Sequence, residues 1–139
     1  MRLSATLEIK MTTAIIKSSS TAATLMFSER QGDYFSVCFA SPGVTLKKRV
    51  WGYTDCGLLV SLFETISREW RGWKGTLDWN SIESDFCLSA TCDSLGHVML
   101  EIEIREFEGP EGWLSKVSLG IDAGQTESVA KVVKRFFET

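Results

Sequence analysis

The chain has 139 residues, with 15 Lys and Arg against 18 Asp and Glu, and a formal net charge of −3 at pH 7. That length fits one domain with its own core, and 44% hydrophobic with 24% charged residues is the composition of a globular chain. There is no basic excess to attract phosphate backbones, which argues against nucleic-acid binding, and no apolar run approaches the roughly 18 to 20 residues that span a bilayer.

The opening MRLSATLEIKMTTAIIKSSS is interrupted by Glu8 and Lys10, so it lacks the continuous apolar stretch of a signal peptide and the cytoplasm is the expected location. Met11 is a second candidate start. Residues 1–20 are rich in Ser, Thr and Ala, and LEIKMTTAII alternates loosely. They are expected to form an N-terminal arm or edge strand beside a single domain of residues 21–139.

Three strands are expected next. Thr24 to Glu29 puts Leu25 and Phe27 on one face, and RQGD supplies a turn. Tyr34 to Ala40 sets Phe35, Val37 and Phe39 against Tyr34, Ser36 and Cys38. After a turn at SPG, Val44 to Trp51 alternates Val44, Leu46 and Val50 against Thr45, Lys47, Arg49 and Trp51. Lys48 breaks the apolar side, which suits an edge strand. Alternation of period two, bounded by Gly, Pro and Asp, marks half-buried antiparallel strands.

At Thr54 and Asp55 the pattern changes to a helical one. Either residue can cap a helix by accepting a backbone N–H bond. Leu58, Leu59, Leu62, Phe63, Ile66 and Trp70 fall on one helical stripe, which predicts a helix over residues 55–70. The stretch WRGWKG that follows places Gly72 and Gly75 where a helix ends and the chain bends again. Trp73 is expected to fold over the helix end, and the tryptophans to fill space that the turns leave, in preference to forming a ligand platform.

A short strand at Thr76 to Trp79 precedes three longer ones. Glu83 to Cys92 sets Phe86, Leu88 and Ala90 against Asp85, Cys87 and Ser89. DSLG then turns the chain into His97 to Phe107, where Val98, Leu100, Ile102 and Ile104 oppose Met99, Glu101, Glu103 and Arg105. EGPEG separates these from Trp113 to Ile121. The three read as a meander. A closing helix is expected from Asp122, which has capping-box spacing to Gln125. The fold class is therefore α+β: an antiparallel sheet of about six to seven strands, ordered β-β-β-α-β-β-β-β-α, with two helices packed on one face.

No motif establishes a reaction. GxGxxG and GxxxxGK[ST] are absent. Cys38, Cys56, Cys87 and Cys92 form no CxxC and do not have zinc spacing, so they are expected to be reduced core residues, with no metal and no cofactor. His97 is the only histidine. A nucleophile needs a base and an orienting group, and Cys92, His97 and Asp93 are the one set that sequence proximity offers. Glu101 and Glu103 share a strand face, with Asp85 and Glu106 nearby in the meander. Such a row is most often the solvated face of a sheet; a partner-facing acidic surface is the next reading, and acid–base catalysis the last.

WRGWKG at residues 70–75, WNSIE at 79–83 and FCLSATCDSLGHVML at 86–100 resemble a family of small bacterial proteins of unknown function. In that family a Trp-Gly segment precedes a strand and a Gly-His-Val hairpin, and the final FFET is similar to the family's closing helix. The resemblance covers roughly residues 55–138; residues 1–54 depart from it. Some proteins of similar size and layout are immunity proteins encoded beside secreted polymorphic or contact-dependent toxins. The resemblance thus implies a non-enzymatic binding protein that neutralises a cognate toxin domain, and it implies no catalytic residue. A toxin that is a basic nuclease would be met through carboxylates, with Asp85, Glu101, Glu103 and Glu106 as the expected contacts. The alternatives are a small enzyme using Cys92 and His97, and a self-associating module using an exposed strand edge or the Trp51 face.

Overall fold

The computed structural model describes residues 12–53 and 56–138. Its elements are β1 (Ala14–Lys17), β2 (Thr24–Gln31), β3 (Tyr34–Ser41), β4 (Val44–Trp51), α1 (Cys56–Arg68), β5 (Leu77–Asn80), β6 (Phe86–Cys92), β7 (Val98–Glu106), β8 (Trp113–Ile121) and α2 (Thr126–Glu138), with a 3-10 turn at Ala123–Gln125 before α2. The expected cap at Thr54 and Asp55 and the candidate start at Met11 lie outside the described residues.

The α+β class holds, but the single sheet does not. The strands form two antiparallel four-stranded sheets, ordered β1-β2-β3-β4 and β5-β6-β7-β8. Period-two patterning specifies which face of a strand is buried; it carries no information on which strands share a ladder. Here every ladder joins strands adjacent in sequence, and α1 separates the two meanders. Four strands followed by a helix therefore occur twice, although the sequence shows no repeat. Part of the expected N-terminal arm is strand β1, the edge of the first sheet, with Ala14 and Ile16 buried.

Each sheet turns one apolar face inward. Leu25, Phe27, Phe35, Val37 and Val50 from the first sheet join Phe86, Leu88, Leu100, Ile102 and Ile104 from the second in one core. The join is aromatic. Phe27 lies 6.0 Å from Phe86 and 5.6 Å from Phe137, and Phe35 meets Phe137 edge-on at 5.1 Å. Such tilted and edge-to-face contacts are the arrangements that ring quadrupoles favour. Helix α1 contributes Leu59, Leu62, Phe63 and Ile66, and α2 contributes Ala130, Val133, Phe136 and Phe137.

Polar links also tie these layers together. Lys48 occupies an inward position of edge strand β4 and crosses to the second sheet, 2.8 Å from Glu106 Oε1 and 4.0 Å from Asp85 Oδ2. Arg30 follows a bulge in β2, where Glu29 adopts a positive φ of 52°, and donates to the Phe136 carbonyl at the end of α2. A cation there complements the negative end of the helix.

The tryptophan segment divides. Trp79 is buried against Phe86, at 5.6 Å. Trp73 is partly buried, and its indole N–H donates to the Ala90 carbonyl at 3.2 Å. Trp70 is 56% exposed, against the expectation that it closes the α1 stripe. The helix ends at Arg68, two residues before it. Gly72 then takes φ +99°, and a Cβ there would lie 2.9 Å from the Asp93 carbonyl oxygen, so the chain passes against the β6–β7 turn at a distance only glycine permits. At α2, the Asp122 N–H donates to Gln125 Oε1 at 3.1 Å, which is one arm of the expected capping box.

Candidate functional site

The four carboxylates expected as contacts, Asp85, Glu101, Glu103 and Glu106, separate into two pairs. Asp85 and Glu106 face Lys48 at the junction of the sheets. Asp85 is 5% exposed and also accepts a 2.7 Å bond from the Ser81 hydroxyl. Glu106 is held below the ordinary carboxylate range by the hydrogen bond from Lys48, then by the Glu108 N–H. Burial alone would lower Lys48, but its bond to Glu106, with the charges of Glu106, Asp85 and Glu108, outweighs that and raises it. These carboxylates are engaged in holding the sheets together.

Glu101 and Glu103 instead lie on the outer face of the second sheet, where residues alternate with the buried ones of β7. Register places Asp78, Ser89 and Glu101 in one cross-strand row, and Asn80, Cys87, Glu103 and Lys116 in the next. Asp78 is fixed by hydroxyl donors, Ser89 at 2.7 Å and Thr76 at 3.0 Å. Glu103 pairs with Arg105 and lies 3.9 Å from Lys116. Among the described residues the Glu101 side chain has no hydrogen bond or ion pair, while its backbone pairs with Ser89 and Ser118. The row Asp78–Ser89–Glu101 thus carries two carboxylates and no cation.

Asp78, Asn80, Glu101, Glu103 and Arg105 line an open groove of about 380 Å³, together with Cys87, Leu88 and Ser89. Its rim includes Ser84, which holds a positive φ of 59° in the β5–β6 loop. That loop is pinned by the Ser84 N–H to the Ser81 carbonyl and by the Ser81–Asp85 contact. Arg105 bridges the end of the groove, its guanidinium 5.4 Å from the Phe107 ring centroid, and its Nε is buried without a hydrogen-bond partner. Asp78 is not singled out by sequence proximity to the other carboxylates. The alternation of LDWN, with Leu77 and Trp79 inward, marks it as outward-facing, but only the β5–β6 register shows that it shares a row with Glu101.

The outer face of the first sheet has the opposite polarity. Lys17, Lys47 and Arg49 project from it, with Glu29 bound to Lys47 at 3.2 Å. At its end Trp51 stacks on Tyr34 and meets Tyr53 edge-on, and both tyrosines are about half exposed.

Cys92 and His97 do not form a catalytic pair. Cys92 shares the inward parity of Phe86, Leu88 and Ala90 and pairs with Val98, whereas His97 has the outward parity of Met99. They therefore face opposite sides of the hairpin. The Cys92 thiol lies 3.4 Å from the Asp93 carbonyl, and burial, then the Asp93 charge, pushes its pKa up. A raised pKa suppresses the thiolate, the form that acts as nucleophile. Asp93 accepts the N–H groups of His97 and Leu95 and reaches His97 Nδ1 at 3.1 Å, an arrangement that shapes the turn. Its carboxyl is lowered chiefly by the His97 N–H. All four cysteines are partly buried: Cys56 and Cys92 pack against the core, whereas Cys38 and Cys87 lie on the outer faces of the two sheets. Among the described residues no cluster of His, Cys, Asp or Glu could hold a metal ion, and no helix is long and apolar enough to cross a membrane.

No curated protein matches the chain, and neither does any solved structure. Residues 16–139 match a family of unknown function (DUF6228), to which the chain therefore belongs.

Proposed function

We propose that the protein is a non-catalytic binding module whose outer second-sheet face docks on a basic partner, and that the partner is the domain of a bacterial toxin which it neutralises as an immunity protein. The observation that carries this is the cation-free row of Asp78 and Glu101 beside an open groove. Carboxylates without a neutralising cation favour rapid association with a basic surface and discriminate against acidic ones. Glu103 takes part at the margin, its charge shared with Arg105 and Lys116. Asp85 and Glu106 act indirectly, by fixing the β5–β6 loop and the end of β7 against Lys48.

Co-expression tests this. The full chain, produced together with the C-terminal domain of a secreted protein encoded beside it, is expected to restore growth. The double variant Asp78→Lys/Glu101→Lys, folded by circular dichroism, is expected to fail. Continued growth arrest with the unaltered chain would contradict the toxin assignment, and full protection by the double variant would contradict the docking face.

A further inference from the structure

Strand β5 separates two depressions. On its outer side lies the carboxylate-lined groove; on its other side, a groove of about 490 Å³ runs between it and α1, lined by Leu58, Leu62, Thr65, Leu77 and Trp79. Asp78 and Asn80 line both. Among the described residues β5 pairs only with β6, so it is the edge of its sheet. Alternate residues of an edge strand direct N–H and C=O groups away from the ladder, which is a template for another strand. Leu58, 62% exposed, stands across the groove as an uncovered apolar contact.

From this geometry we infer that β5 accepts an extended segment of the partner as a fifth strand, one that alternates basic and apolar residues. The inference rests on the docking proposal above and specifies how the partner engages that face. Side chains of an added strand alternate between the two faces of the sheet. One set projects beside Asp78 and Asn80, toward the row that includes Glu101, where charge selects lysine or arginine. The other projects into the α1-lined groove beside Leu58 and Leu62, where aliphatic side chains bury apolar surface. The main chain supplies the hydrogen bonds, and the two unlike grooves set the register.

The test uses the full chain and a labelled nine-residue peptide of alternating lysine and valine, read by fluorescence anisotropy at low salt and by amide hydrogen exchange. The peptide is expected to bind, to slow exchange at Leu77–Asn80, and to weaken at least tenfold with either Leu58→Glu or Asp78→Lys. Both substitutions lie at exposed positions, so the variants retain the fold. Strand addition is overturned if the peptide fails to bind, if a blocked peptide of the same composition binds equally, or if exchange at Leu77–Asn80 is unchanged. A dimer with those amides already protected in the absence of peptide would overturn it in favour of a second copy of the chain. Loss of binding with Asp78→Lys/Glu101→Lys but not with Leu58→Glu would overturn strand addition and leave the acidic docking face standing. Insensitivity to both would remove both.

Discussion

Lys48 Nζ lies 2.8 Å from Glu106 Oε1, and this contact joins the edge of the first sheet to the second. A lysine at an inward position of an edge strand also guards that edge against pairing with another chain. The same ammonium group is 4.0 Å from the buried carboxylate of Asp85, which organises the loop at the rim of the proposed docking groove.

Replacing Lys48 with methionine removes the cation and keeps much of the stem. The Asp85 and Glu106 carboxylates then lose their cation, and the variant is expected to be less stable than the parent at neutral pH. Urea unfolding would measure this directly. A midpoint equal to that of the parent would show that the contact holds nothing together.

The Lys48–Glu106 pair also gives the stability a pH signature. Glu106 is lowered, so its contribution is present above the ordinary glutamate value and is lost as pH falls through its native value. Lys48 is raised, so its contribution is present below the ordinary lysine value and is lost as pH rises through its native value. The stability difference between the parent and Lys48→Met is therefore expected to be widest in the neutral range and to shrink at both extremes. Stability curves that stay parallel from the acid to the alkaline extreme would contradict the assignment.

Gly72→Ala and Gly57→Ala are expected to act in opposite directions. At Gly72 a Cβ meets the Asp93 carbonyl oxygen at 2.9 Å with φ at +99°, and the substitution is expected to cost more than about 1 kcal/mol. At Gly57, inside α1, a Cβ meets nothing within 4 Å, and alanine is expected to stabilise by up to about 1 kcal/mol. Thermal melts of the two variants decide this, and shifts of the same sign would count against the local geometry.

Cys92 is expected to react slowly with iodoacetamide near neutral pH, because burial and Asp93 keep it protonated. Mass spectrometry of the alkylated chain would show modification at Cys92 accelerating on unfolding. His97→Ala is expected to leave that rate unchanged, since the two side chains face opposite sides of the hairpin. A marked slowing with His97→Ala would revive a Cys–His pair.

The local pattern carried much of this fold. Leu59, Leu62, Phe63 and Ile66 are buried along α1 as their spacing predicts, and Val98, Leu100, Ile102 and Ile104 are buried along β7. Leu58 lies on the predicted stripe yet is exposed, because the neighbouring β5 leaves an open groove beside it. The division into two sheets was not legible, since strand alternation is identical for one sheet or two. Nor were the engagements of Asp85 and Glu106, which depend on a lysine distant in sequence. The separation of Cys92 from His97 was legible by parity, as Cys92 falls in step with Phe86 and Ala90, and His97 with Met99. The Asp78–Glu101 row required the register of two ladders, which composition and spacing do not encode.

The most direct test of the docking face is calorimetric titration of the full chain with the C-terminal domain of the secreted protein encoded beside it, at low and high salt. The expected result is a stoichiometric complex that weakens as salt rises and weakens at least tenfold with Asp78→Lys/Glu101→Lys. No heat of binding, or a complex indifferent to both salt and charge reversal, would contradict it.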